Sequence, residues 1–323
     1  MTQPPYGAMP PPYSYYGAIA PKPGCIPLRP LSVGEIFGGA VEGIRRNART
    51  VLWLSAGAAT VQALAALVLQ RYASRQIAQA FDDSDPANPT VHWDQLASLM
   101  RSTIGLSMLG SIITAVLTGM IVVVVAEDVV GRTASFELVW SKVRSRIWRL
   151  IGLSLLVSLL TAFGLALCLA PGIWLWGIWA VAVPALIIEN HGIGGALRRS
   201  YHLVVGTFWR VWGIRALGHL ITLFVAGAIS AMIGVFAGAV TGDPPAGLFR
   251  TGGMESLSWG YLLISALGTA LVATFTAPFL ASLDSLLYVD LRMRKENLAL
   301  DLQQAAAGVR QPPPPPPPPK YLQ

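Results

Sequence analysis

Residues Ile104–Ala126 read IGLSMLGSIITAVLTGMIVVVVA and carry no charge. A helix needs about 20 apolar residues to cross the hydrocarbon of a bilayer, so this stretch predicts a membrane span. Working outward, five more stretches repeat the pattern: Val51–Gln70, Trp148–Ala170, Ile173–Ile188, Val211–Val240 and Trp259–Leu283. Only Pro171 and Gly172 separate Trp148–Ala170 from the short Ile173–Ile188. The long Val211–Val240 stretch is expected to tilt or to project beyond the bilayer. Across 323 residues, 54% are hydrophobic and 12% charged, whereas a soluble domain carries about 25% charged residues. The expected fold is an all-α polytopic membrane bundle of about six spans.

Basic residues predict the orientation. With the N-terminus inside, only Arg71, Arg75, Arg101 and Arg250 of the 23 lysines and arginines fall outside. Cytoplasmic loops are the basic ones, so both ends are expected in the cytoplasm, across an even number of spans. The net charge of +7 is then a membrane feature. No basic stripe lies away from the membrane flanks, and nucleic acid is not an expected partner.

An amphipathic segment precedes the first, third and fifth spans. The first opens with Ser32 and Glu35, a capping-box pair, and shows Ile36, Ala40, Val41 and Ile44 at helical spacing. The second shows Phe136, Trp140, Val143 and Ile147. The third shows Ile193, Ala196, Leu197, Tyr201 and Val204. Each ends where arginine meets tryptophan: Arg49 with Trp53, Trp148 with Arg149, and Trp209-Arg210 with Trp212. Tryptophan suits the headgroup level and arginine suits phosphate. Arg45, Arg46, Arg49, Arg146, Arg149, Arg198, Arg199, Trp209 and Arg210 are therefore the expected anchors to anionic inner-leaflet lipid.

Arg215 and His219 lie four residues apart in the fifth span, and Asp284 lies near the inner end of the sixth. Ionisable residues at membrane depth are functional suspects. These three are the candidate polar site, with His219 expected to pair with Asp284, for a lipid headgroup or a proton. The alternative is a purely structural interhelical bond. Pro184 and Pro278 are expected to kink their spans. Ala226, Ser230, Gly234 and Gly238 repeat every fourth residue and predict close helix contact, within one chain or in a homo-oligomer.

Catalytic signatures are missing: the sequence has no HExxH, GxSxG, CxxC, P-loop or GxGxxG. The four histidines do not cluster, and Glu189-Asn190-His191 reads as a helix-end loop. Cys25 and Cys168 offer neither a disulfide framework nor a metal site. Asp82, Asp83 and Asp85, in the outer loop 71–103, lack a calcium loop's glycine and full ligand set. No enzyme, cofactor or metal is expected. The Pro/Tyr-rich residues 1–30 and the tail 304–323, with Pro312–Pro319, are expected to be disordered. The eight prolines would form a rod of roughly 25 Å at about 3.1 Å per residue, open to a Pro-binding partner. Residues 31–303 form the membrane domain.

Three stretches carry a resemblance. They are Leu286-Leu287-Tyr288-Val289-Asp290-Leu291-Arg292-Met293-Arg294-Lys295-Glu296; Arg29-Pro30-Leu31-Ser32-Val33-Gly34-Glu35-Ile36, followed by Arg45-Arg46-Asn47; and Arg198-Arg199-Ser200-Tyr201-His202-Leu203-Val204, followed by Phe208-Trp209-Arg210. Over residues 29–302 the chain resembles an actinobacterial family of multi-pass proteins known as the glycerophosphoryl diester phosphodiesterase membrane domain. In fused members, hydrolysis belongs to a separate soluble barrel with paired His and acidic metal ligands, and nothing here matches it. The resemblance implies membrane topology and no chemistry. The expectation is a non-enzymatic protein of the bacterial plasma membrane, a scaffold or a participant in envelope-lipid handling. The alternative is a transporter built around Arg215, His219 and Asp284. In intact cells, Ser84→Cys is expected to react with a membrane-impermeant maleimide, and Ser14→Cys only after lysis. The reverse pattern would invert the orientation.

Overall fold

The computed structural model describes residues 22–80, 93–167, 169–242 and 258–298. It is all-helical, with no strand among the described residues. The helices are α1 (Val33–Arg46), α2 (Ala48–Ala80), α3 (Trp93–Val129), α4 (Phe136–Arg144), α5 (Ile147–Leu167), α6 (Leu169–Ile178), α7 (Ala182–Ile188), α8 (Ile193–Val204), α9 (Phe208–Thr241) and α10 (Trp259–Glu296). Six units are long and apolar enough to cross a membrane: α2, α3, α5, the α6–α7 pair, α9 and α10. The chain is a multi-pass membrane protein. The amphipathic helices α1, α4 and α8 precede the first, third and fifth spans, as their periodicity requires.

Helix lengths divide the molecule into two parts. α10 has 38 residues, about 57 Å at 1.5 Å per residue, against a hydrocarbon thickness of about 30 Å. Its excess forms the axis of a packed base. From Ala281 to Met293 every residue except Asp284 and Arg292 is buried. Around this axis gather the four segments assigned by charge to one side. Arg46 reaches Asp128, Thr50 reaches the Ala134 carbonyl, Arg146 reaches the Ile187 carbonyl, and Arg210 reaches the Leu31 carbonyl. Four of the spans are far less covered. α9 buries almost nothing and leaves Leu223, Phe224, Met232 and Phe236 outward, as helices solvated by lipid do.

The N-terminal boundary differs from expectation. Residues 22–30 belong to the fold, because Cys25, Ile26 and Leu28 are buried in the base. Each large apolar side chain gains roughly 1.5–3 kcal/mol on burial, which offsets the roughly 1–2 kcal/mol of backbone ordering per residue. Residues 1–21 and 299–323, hence the remainder of the expected N-terminal tail and all of the C-terminal one, lie outside the described residues. So do Cys168 and residues 81–92 of the outer loop, with Asp82, Asp83 and Asp85. The rest of that loop is helix: α2 continues to Ala80 and α3 starts at Trp93.

The capping box forms: Ser32 Oγ accepts from the Glu35 amide, and Glu35 Oε2 accepts from the Ser32 amide at 2.7 Å. The buried faces are shifted from the expected ones. α1 buries Ile36, Gly39, Ala40 and Gly43 and exposes Val41. α4 buries Val139 and Val143 and turns Phe136 and Trp140 outward. α8 buries Ala196, Ser200, Leu203 and Val204 and exposes Tyr201. In each case one face packs on the base while some large apolar residues face away from it, the arrangement of a helix lying at an interface.

The prolines act differently along the chain. Pro171 and Gly172 do not form the turn between spans. They sit in the first turn of α6, where a missing amide hydrogen leaves no bond unmade. The fourth span breaks at Trp179–Val181 instead, three residues before Pro184, whose ring excludes a helical carbonyl at Ala180. Pro278 lies within α10, which continues through it. α9 packs on α10 through Gly234, whose missing Cβ admits Tyr261, and through Ile233 against Gly268. Gly238 is buried, while Ser230 is exposed, so the C-terminal part of the small-residue row serves a contact within the chain.

Gly24 sits where a Cβ would lie 1.6 Å from the Asp128 carbonyl oxygen, whereas Gly34 in α1 has open space. Gly24→Ala is expected to cost about 1–3 kcal/mol through overpacking and lower the unfolding temperature. Gly34→Ala should raise it slightly, by about 0.5–1 kcal/mol of stability. Thermal unfolding in mild detergent distinguishes the two.

Candidate functional site

Arg215, His219 and Asp284 do meet, but in a different pairing from the expected one. The break in the fourth span leaves carbonyls without helical donors, and Arg215 takes one of them: its Nη1 donates to Trp176 O at 2.6 Å. Ser200 takes another, at Ile178 O. The other edge of the guanidinium faces Asp284, with Nε to Oδ1 at 2.8 Å and Nη2 to Oδ2 at 3.1 Å. This fork-on-carboxylate geometry is the strongest charge-assisted arrangement two side chains make. The guanidinium also stacks 4.4 Å from the centre of the Trp176 ring.

His219 makes no bond to Asp284. Its Nδ1 lies 2.9 Å from the Arg215 carbonyl, one helical turn back, and its ring meets Trp176 edge-on at 5.1 Å. A carbonyl only accepts, so Nδ1 carries the hydrogen, and in the neutral ring Nε2 is left as an acceptor. These residues line a cavity of about 690 Å³ bounded by α3, α5, α6, α7, α9 and α10. The walls are mainly apolar, interrupted by serine and threonine hydroxyls. Among the described residues no cluster of His, Cys, Asp and Glu has the geometry to hold a metal ion.

The base holds three carboxylate hubs. Asp290 is fully buried and accepts from the Leu31 amide at 2.8 Å, from Arg210 at 3.1 Å and from Arg294 at 2.9 Å. Arg210 and Arg294 both also donate to the Leu31 carbonyl. Asp128 is likewise buried and accepts from Arg46 at 2.9 Å and Asn47 at 3.2 Å. Beside it the Cys25 thiol is pushed well up, first by burial and then by the Asp128 carboxylate, which makes it a poor nucleophile.

The third hub is Glu189, at the end of α7. It accepts from Arg199 through both oxygens, from the Tyr288 hydroxyl at 2.5 Å and from His191 at 2.9 Å. Arg199 continues to Glu296, which accepts from Arg292. Burial by itself would raise the Glu189 carboxyl. The Arg199 and Tyr288 hydrogen bonds, with the charges of Arg199 and Arg292, outweigh that and hold it below the usual carboxylate range. Sequence reading gave none of the three a hub's role, and took Glu189 for part of a helix-end loop. Their signal was present, an acidic residue at each end of a span, but its partners lie in distant segments.

The expected lipid anchors divide into two sets. Arg46, Arg199 and Arg210 are bound within the ion pairs just described, and Arg146 and Arg149 share the Asn190 side chain. Arg45, Arg49 and Arg198 are exposed and have no bonding partner among the described residues. Trp209 is exposed, as are Trp53 and Trp148. No family model matches the chain, and no curated protein and no solved structure matches it significantly.

Because Glu189 is held below its unfolded value of about 4.3, its contribution to stability is complete above that pH. It is lost as pH falls through the lower folded value. Glu189→Gln is therefore expected to lower the unfolding temperature at pH 7 and to flatten its further decline between pH 4.5 and pH 2.5, values that are about the carboxylate range. An unchanged acid limb in that variant would mean that the hub does not titrate with folding.

Proposed function

We propose that the chain is a non-catalytic protein of the bacterial plasma membrane, with its base and both tails in the cytoplasm, that engages anionic lipid of the inner leaflet. The observation that carries this reading is how charge is spent in the base. Glu35, Glu127, Asp128, Glu189, Asp290 and Glu296 are all committed to ion pairs. The unpaired charge is mostly positive: Arg45, Arg49 and Arg198 are exposed, against Glu42 and Glu137, and Trp53, Trp148 and Trp209 turn outward. Arg45 also lines an open depression with Glu42, Phe37, Val41, Ile221 and Phe279. A lipid can set its phosphate on Arg45 there and its chain along the apolar wall.

The resemblance of the Asp290, Leu31 and Arg210 stretches to the glycerophosphoryl diester phosphodiesterase membrane domain supports the same reading. It concerns the membrane part of that family, without its hydrolase. A lipid-dependent scaffold, alone or as a homo-oligomer, needs no more chemistry than this. The Pro-rich tails would supply docking for a Pro-binding partner.

A second reading, a permease, is favoured by one feature. The cavity at Arg215 and another of about 550 Å³, lined by Gln62 and Ser107, share Ser111 and Thr114 of α3.

Each exposed cation near an anionic surface contributes about 1 kcal/mol. The triple variant Arg45→Gln, Arg49→Gln, Arg198→Gln should therefore bind phosphatidylglycerol on the order of 10- to 100-fold more weakly, with an unchanged unfolding temperature. Native mass spectrometry of the full chain from mixed neutral and anionic nanodiscs reads this out. Equal retention of both lipid classes by the wild-type chain would remove the reading.

A further inference from the structure

The cavity at Arg215 also has a definite hydrogen-bonding character. Its one ion pair is closed on itself. Each guanidinium nitrogen of Arg215 already has a protein acceptor, and both Asp284 oxygens already accept from Arg215. The pair leaves the site without net charge, although two of the five guanidinium N–H groups are not used in these bonds.

The cavity also offers a set of acceptors, beside the Thr114, Thr118 and Ser158 hydroxyls and the Trp176 and Trp179 indoles that line it. Ser111 donates to Met108 O at 2.8 Å, and Ser154 to Ile151 O at 2.9 Å. Thr222 donates to His219 O at 2.9 Å, and Thr276 to Val272 O at 3.1 Å. Each hydroxyl has spent its single hydrogen on its own helix and keeps oxygen lone pairs. His219, with Nδ1 bound to a carbonyl, adds an acceptor at Nε2. These groups come from α3, α5, α9 and α10 and line one cavity whose other walls include Val157, Leu223 and Ala226.

We propose that this cavity binds a neutral amphipathic molecule whose head bears several hydroxyl donors, a sugar or polyol on an alkyl chain. Its head lies among the Ser, Thr and His acceptors, and its chain lies along the apolar walls. A volume of about 690 Å³ is in the range that holds one small-molecule ligand. Matching donors to acceptors matters because an acceptor desolvated without a donor is costly in a dry site. This inference does not rest on the anionic-lipid reading, which concerns different residues on the outer surface of the base.

The full chain in phosphatidylcholine nanodiscs, which contain no anionic lipid, provides the test. Tritiated dodecyl β-glucoside is titrated against it, with empty discs as background. Its per-O-methylated twin keeps the chain and every oxygen but has no donor. The expected result is saturable binding of one glucoside per chain, with the twin at least about tenfold weaker. The nearly isosteric pair Thr222→Val, Thr276→Val should weaken the glucoside about tenfold and leave the twin unchanged. Ala226→Phe, which fills the cavity, should abolish binding without lowering the unfolding temperature. Three results would overturn the proposal: no saturable binding above empty discs, equal binding of the twin, or glucoside binding unaffected by Ala226→Phe.

Discussion

A carboxylate with no access to solvent, Asp290, ties the base together. It sits in the part of α10 that extends past the bilayer, and it holds the Leu31 amide, Arg210 and Arg294. Those partners come from the two ends of the described chain and from the start of α9. A buried charge left without partners costs several kcal/mol, so the three segments are not free to separate. Arg210 and Arg294 close the arrangement by returning to the Leu31 carbonyl, which satisfies a backbone group that no helix serves. The entry to α1, the entry to α9 and the exit of α10 are thereby fixed at one point.

From that point the remaining geometry follows by short links. α1 starts two residues after Leu31 and delivers Arg46 and Asn47 to Asp128 at the end of α3. α9 rises from Arg210 and brings Arg215 level with the broken fourth span. There Pro184 has forced the helix to stop and restart, and the carbonyls released are taken by Arg215 and Ser200. A defect required by one proline thus becomes the wall of the cavity. The same arginine neutralises Asp284, and the site is left polar without net charge.

Much of this fold was legible in the chain alone. Uncharged runs near the length of a bilayer crossing marked the six spans, because lipid tolerates no unsatisfied backbone and few charges. The Ser32–Glu35 capping box and the helical spacing of α1, α4 and α8 are local features, and they formed where their spacing placed them. Arg215 and Asp284 were found because charge at membrane depth is conspicuous. His219 was assigned the wrong partner, since spacing shows that two residues share a face and not which neighbour wins. Ser200 of α8 and Gly39 of α1 went unnoticed as core positions. A serine or a glycine reads as core only once the neighbour that fills the space beside it is known.

The sequence by itself determined how many times the chain crosses the bilayer, where its amphipathic helices lie and which segments share a side, because these depend on transfer between water and lipid, residue by residue. Tertiary structure alone decided which arginines are held in ion pairs and which stay exposed. It also decided that Cys25 is core, and that Glu189, Asp128 and Asp290 are hubs. Those roles depend on distance through space between residues up to 259 positions apart in the chain, and neither periodicity nor composition encodes which of several equivalent charges will meet.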